Sequence, residues 1–180
     1  MLKTPINREN FQIETERLKL EPITIQYADD IFSELTEDIT RYLVIKPPKE
    51  VEETKDFIIG AIERNHKQEN IQLVILNKTT KEFIWCVWLH RPHTDTPEFW
   101  LRTKKSAHGN KYWQEAIQWL HKRAQENILC DYVIYPVDQT NIPSRKIAES
   151  IGWTTDWIMS IKDTFDPNKK LESVTYKVEL

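Results

Sequence analysis

The stretch KKSAHGNKYWQEA, residues 104–116, is where the reading of this chain turns. From Trp113 onward the apolar residues fall at Trp113, Ala116, Ile117, Leu120 and Ala124. That spacing is the stripe of a helix lying on a sheet, and it predicts a helix from about Lys111 to Glu126. The first-turn N–H groups of such a helix have no intrahelical partner and carry about half a positive charge. Ahead of them stand Arg102, Lys104, Lys105 and His108, with Lys111 at the helix start and no acidic residue between Glu98 and Glu115. Gly109 lets a ligand approach the backbone closely. Free N–H groups, a glycine and local cations are what a diphosphate requires, whereas a solvated basic turn is the plainer reading of the same residues.

Outward from the helix the pattern is β-α-β. EFWLR (98–102) precedes it and CDYVIYPV (130–137) follows it, both reading as strands. A crossover of this kind sets a helix N-terminus beside a strand's C-terminal end, the position ligands favour in open sheets. Upstream, ERLKLEPI (16–23) alternates as a strand, Thr24 suits an N-cap, and residues 27–36 and 50–67 have helical spacing. IQLVIL (71–76) and EFIWCVWLH (82–90) form a hairpin around NKTTK. Downstream, Ile142–Ser150 is a short helix that Gly152 ends, and two strands joined through DPNKK (166–170) close the chain. The order β-α-α-β-β-β-α-β-α-β-β is mixed α/β with an antiparallel middle, expected as one domain over 1–180.

Composition narrows the chemistry. Three glycines, Gly60, Gly109 and Gly152, are too few for a dinucleotide fingerprint, a Walker loop or a nucleophile elbow. A net charge of −3 argues against a general nucleic-acid binder, and the basic loop lacks interleaved aromatics. No apolar run reaches the roughly 18 residues of a membrane span, and the first residues carry no apolar leader. Cys86 and Cys130 sit in apolar runs and read as buried free thiols of a reducing, cytoplasmic compartment. His90, His93, Asp95 and Glu98 are ligand types at short spacing, but the loop has no metal-binding frame, so no metal is expected. Seven tryptophans are an excess that fits core, interface or homodimer, and Trp88 and Trp157 could wall a pocket.

Four pieces in order resemble the GNAT acetyltransferases, with the closer likeness to the RimJ/RimL-type branch that acetylates protein N-termini and small amines. ETERLKLEPIT (14–24) is similar to the family's T-E-R-L-x-L-R strand, and EFWL (98–101) to its G-Y-W-L strand. SAHGNKYWQEAI (106–117) resembles its glycine loop and helix, and NIPSRKIAESIGW (141–153) its N-x-x-S ending. The resemblance covers nearly the whole chain. It implies the GNAT fold, a mostly antiparallel sheet with a splayed parallel strand pair at 98–103 and 130–137. Acetyl-CoA would enter that wedge, its pantetheine on the backbone of Trp100, Leu101 and Arg102. Its pyrophosphate would lie on the amides of His108, Gly109, Asn110, Lys111, Tyr112 and Trp113, and Asn141 would bind it near the thiol. Lys111 stands where the family has a second glycine and Trp113 where it has a small residue; Trp113 either faces the sheet or narrows the phosphate site.

The implied reaction is acetyl transfer to a primary amine, a peptide N-terminus or a small amine, directly within a ternary complex. The family's proton-donating tyrosine position is Ala148 here, and the serine of the RimL-like branch is Ser144. Glu98 is the candidate base, with His90 and Tyr135 as alternatives. The competing reading is a GNAT-fold module that binds CoA or a partner without turnover.

Overall fold

The computed structural model describes residues 12–42, 45–102, 104–162 and 170–180. Eight strands form one sheet in the order β1-β2-β3-β4-β5-β6-β8-β7. They are β1 (Ile13–Glu14), β2 (Leu18–Pro22), β3 (Asn70–Asn77), β4 (Phe83–His90), β5 (Glu98–Leu101), β6 (Tyr132–Asp138), β7 (Thr154–Lys162) and β8 (Lys170–Glu179). Every neighbouring pair is antiparallel except β5 and β6. The expected turn at 166–170 falls, Lys170 apart, outside the described residues, as does the side chain of Trp157.

The helices are α1 (Ala28–Glu34), α2 (Glu37–Thr40), α3 (Val51–His66), α4 (Tyr112–Asn127) and α5 (Ile142–Ser150). Thr24 makes no side-chain cap; a 3-10 turn at Ile25–Tyr27 intervenes before α1. α5 begins as its sequence implies, with the Asn141 side chain accepting from the Ser144 N–H. Gly152 follows it at φ +82, a conformation cheap only for glycine.

The sheet separates two cores. Alternation along β3 sends Leu73 and Ile75 to one face with Ala116, Ile117 and Leu120 of α4. It sends Val74 and Leu76 to the other face with Ile31 of α1 and Ile58 of α3. A bulge interrupts β4, where Ile75 pairs with Trp85 but Leu76 with Phe83. The irregularity re-phases the strand, so that Phe83 and Trp85, and then Cys86 and Trp88, all face the α1–α3 core. Of the six tryptophans whose side chains are described, Trp85 and Trp88 are buried and the other four half-buried. Both cysteines are free, Cys86 buried and Cys130 only half-buried on a bend before β6.

Candidate functional site

β5 and β6 share one registered pair, Glu98 with Ile134, reinforced by the Ile134 N–H donating to the Pro97 carbonyl at 2.9 Å. Beyond it the parallel strands part. The Arg102 N–H donates to the Cys86 carbonyl on the β4 side, so alternation turns the backbone of Leu101 toward β6 and into the opening. Of the three expected pantetheine contacts, Leu101 therefore offers its backbone to the wedge, while Trp100 and Arg102 are engaged with β4.

The C-terminal end of β5 leads to the loop before α4. Gly109 has φ +85, and a Cβ there would meet no heavy atom within 4 Å, so the backbone is open on that side. Lys111 is the residue before α4 and takes the left-handed conformation at φ 58. Tyr112 and Trp113 open the helix, and both pack against the α4-side core. Trp113 thus packs toward the sheet. The basic run is less free than its sequence suggests. Lys104 pairs with Glu82 at 2.8 Å and Lys105 approaches Asp38 at 3.9 Å. His108, Asn110 and Lys111 stay at the loop, with Asn110 donating its side-chain amide to the Ala107 carbonyl.

A clamp from the opening T-E-R-L segment sets this loop. Arg17 donates from its backbone N–H (2.9 Å) and its Nε (2.8 Å) to Glu115, in the first turn of α4. Its Nη1 reaches the Asn110 carbonyl at 3.0 Å, and its guanidinium stacks on Tyr112 at 5.0 Å. Thr15 Oγ1 donates to the same carboxylate. Burial alone would raise the Glu115 carboxyl, but these hydrogen bonds outweigh it and hold its pKa below the ordinary value.

On the β6 side, the Ser144 side chain of α5 stands beside the Tyr135 hydroxyl, close enough to act on its ionisation. Tyr135 is 4% exposed and packs on Trp153 at 5.4 Å. Burial pushes its hydroxyl up to about 12, so it keeps its proton at neutral pH. Asn141, whose side-chain oxygen caps α5, completes this corner.

On the opposite face of the sheet a cavity of about 590 Å³ opens between α1, α3 and strands β3–β5. Ile31, Leu35, Phe57, Trp88 and Trp100 give it an apolar wall, and His90 and Arg102 line it. His90 pairs across the strands with Glu98 and sets its ring 5.9 Å from Trp100. Burial lowers the His90 pKa against the pull of Glu98, leaving the imidazole neutral at pH 7. Glu98 is tied down: Arg91 pairs with it and Trp100 Nε1 donates to it at 3.0 Å. Among the described residues no group of three or more His, Cys, Asp or Glu stands where it could hold a metal ion. Nor is any helix there long and apolar enough to cross a membrane.

A family model for the acetyltransferase (GNAT) domain matches residues 17–154, from the clamp arginine to the start of β7. The chain belongs to the GNAT family. Its expected fold and its expected standing as an N-acetyltransferase are met by that match. No curated protein matches the chain by sequence. Solved structures match by fold. A microcin self-immunity acetyltransferase in complex with acetyl-CoA and AMP superposes with TM-score 0.81 at 13% identity, covering 92% of this chain and 94% of that one. An acetyltransferase from Salmonella typhimurium that modifies the N-terminal serine of a 50S ribosomal subunit protein gives 0.77 at 15%, covering 92% and 96%. A GNAT acetyltransferase from Bacillus anthracis gives 0.76 at 16%, covering 94% and 98%.

Within this GNAT domain the sequence pointed to Glu98, Ser144, Asn141 and the 108–113 loop, which the fold distributes around one wedge. The Thr15–Arg17–Glu115 clamp was not read from the sequence. Its signal was present as a TxR pattern before a strand and an acid in the first turn of α4, but nothing local joins residues so far apart.

Proposed function

We propose that this chain transfers the acetyl group of acetyl-CoA directly to a primary amine, a peptide N-terminus or a small amine, within a ternary complex. One observation carries the reading: a wedge between β5 and β6, paired only at Glu98 and Ile134, with Ser144 and Tyr135 on its β6 side and the His90 cavity across the sheet. Acetyl-CoA fits these residues. The parted strand edges offer unpaired amides to a pantetheine, and the open backbone at Gly109 with the α4 N-terminus suits a pyrophosphate. Leu101, His108, Gly109, Asn110, Lys111, Tyr112 and Trp113 supply that backbone, and Asn141 lies at the other strand. Arg102 and Trp100 are assigned to the wall of the amine cavity, where their side chains stand.

The amine nitrogen attacks the thioester carbonyl, the C–S bond breaks, and the thiolate takes a proton. Ser144, beside a Tyr135 that stays protonated, is the donor. An α-amine with pKa near 8 is roughly one-tenth neutral at pH 7, against about one in a few thousand for a lysine amine. An α-amine therefore asks little of a base. We assign that small task to neutral His90 in the cavity, with Glu98 as the adjacent charge that holds it. The free cysteines suit a cytoplasmic setting, and 1–180 acts as one domain. A homodimer is read by sedimentation. Initial-velocity kinetics test the mechanism: intersecting double-reciprocal lines for acetyl-CoA and amine support direct transfer, and parallel lines contradict it. Binding of CoA with no transfer to any amine would support the module reading instead.

A further inference from the structure

Six buried side-chain polar atoms among the described residues have no hydrogen-bond partner. Four of them belong to residues lining the one cavity just described: Thr54 Oγ1, Gln72 Nε2, Trp85 Nε1 and Arg102 Nε. Native proteins leave few such groups unpaired, because each costs the desolvation of a polar atom without a bond in return. Three of the four are N–H donors, and the fourth is a hydroxyl that can donate. Thr54, Gln72 and Trp85 are each at most 2% exposed and form the cavity's floor, which leaves Arg102 as the cation of this set that is not fully buried.

Charge points the same way. The Arg102 guanidinium sits 5.0 Å over the Trp88 ring, with the Cys86 thiol as its nearest titratable neighbour. Burial pushes the guanidinium down to about 10 and the thiol up to about 12, so the thiol brings no negative charge at neutral pH. Arg64 and the carboxylate of Glu53 also line the cavity. A largely desolvated cation that no anion among the described residues offsets is unfavourable.

Resting on the acetyl-transfer reading, we propose that the cavity takes an amine bearing an oxyanion, a carboxylate or phosphate held by the Arg102 guanidinium, with the apolar body of the molecule against Phe57, Trp88 and Trp100. A zwitterionic apolar amino acid has this chemistry: its acid reaches Arg102, and its amine is left for the wedge. β5 makes both contacts, since Leu101 turns its backbone to β6 while Arg102 places its side chain in the cavity.

The test uses matched pairs that differ in the acid alone: phenylalanine against phenylalaninamide, and phosphoethanolamine against ethanolamine. Calorimetry and thermal shift on the whole protein are run with and without acetyl-CoA. The acid member of one pair is expected to bind at least about tenfold more tightly than its neutral partner, the ratio of a charged hydrogen bond. The first pair responding identifies a carboxylate, the second a phosphate. In Arg102→Gln the preference disappears, while the acetyl-CoA dissociation constant moves less than about twofold. Arg102→Met is expected to raise the melting temperature of the unliganded protein, where a paired arginine would lower it. The proposal is overturned if neither acid is preferred by the wild type in either condition, or if Arg102→Gln weakens acetyl-CoA and keeps the preference. The wild-type pairs decide alone should a variant not fold. Acid preference without acetyl transfer contradicts the proposed reaction and leaves this inference standing; transfer without acid preference does the reverse.

Discussion

Arg17 Nε and Glu115 Oε2 lie 2.8 Å apart, joining the start of β2 to the first turn of α4. The pair stands beside the Gly109 loop, and its lever is the Arg17 hydrogen bond to the Asn110 carbonyl. Arg17 is 44% exposed on its side chain, so the ion pair itself contributes about 1 kcal/mol or less. Its larger effect is positional. Arg17→Ala is expected to weaken acetyl-CoA several-fold in calorimetry, and Glu115→Gln to do the same. The double variant should fall no further than either single, since both untie one clamp.

Acid titration reads the same carboxylate from the stability side. The folded-state pKa of Glu115 is below its unfolded value, so its stabilisation is complete above the unfolded pKa and is lost as pH falls through the folded one. Wild type should be more stable than Glu115→Gln at pH 7. The gap should close below about pH 4.5, the upper edge set by the unfolded carboxyl. Urea midpoints at several pH values check this; a gap unchanged down to pH 3 contradicts it.

Lys111 is strained where the family pattern places glycine. Its φ of 58 costs a side-chain-bearing residue about 1 kcal/mol that glycine avoids. Lys111→Gly is expected to raise stability by about that amount, offset in part by glycine's freer unfolded chain. It should also weaken acetyl-CoA modestly, because a cation leaves the loop. Denaturant melts and calorimetry measure the two effects separately.

Removing Ser144 separates chemistry from binding. Ser144→Ala should lower kcat by about 10- to 1,000-fold, with the KM for acetyl-CoA little changed, as expected when a proton donor is lost. His90→Gln should cost less with an α-amine than with a lysine side-chain amine, which relies more on the base. Because burial lowers the His90 pKa, the wild-type rate between pH 6.5 and 8 should follow the amine's own ionisation. A limb that stays fixed when amines of different pKa are exchanged would contradict this.

Much of the fold was legible because its long elements carry strong periodicity. α5 runs from Ile142 to Ser150 as its cap and Gly152 imply, and α4 begins at Tyr112, one residue inside its expected start. β1 and α2 were not visible; with two and four residues they are too short to show a period. The site was legible only along the chain. The lysines of 104–105 look unopposed in sequence, yet Glu82 and Asp38 arrive from other elements. Arg102 looked like part of the phosphate loop. Strand alternation, which a four-residue strand shows weakly, sends its side chain through to the other face.

Amine-stimulated release of free thiol from acetyl-CoA, compared between wild type and a His108→Glu, Lys111→Glu double variant, tests the account most directly. The account predicts thiol release by the wild type that rises with amine concentration, and its loss in the double variant. Release indifferent to amine, or fully retained when the loop is made acidic, would contradict acetyl transfer at the β5–β6 wedge.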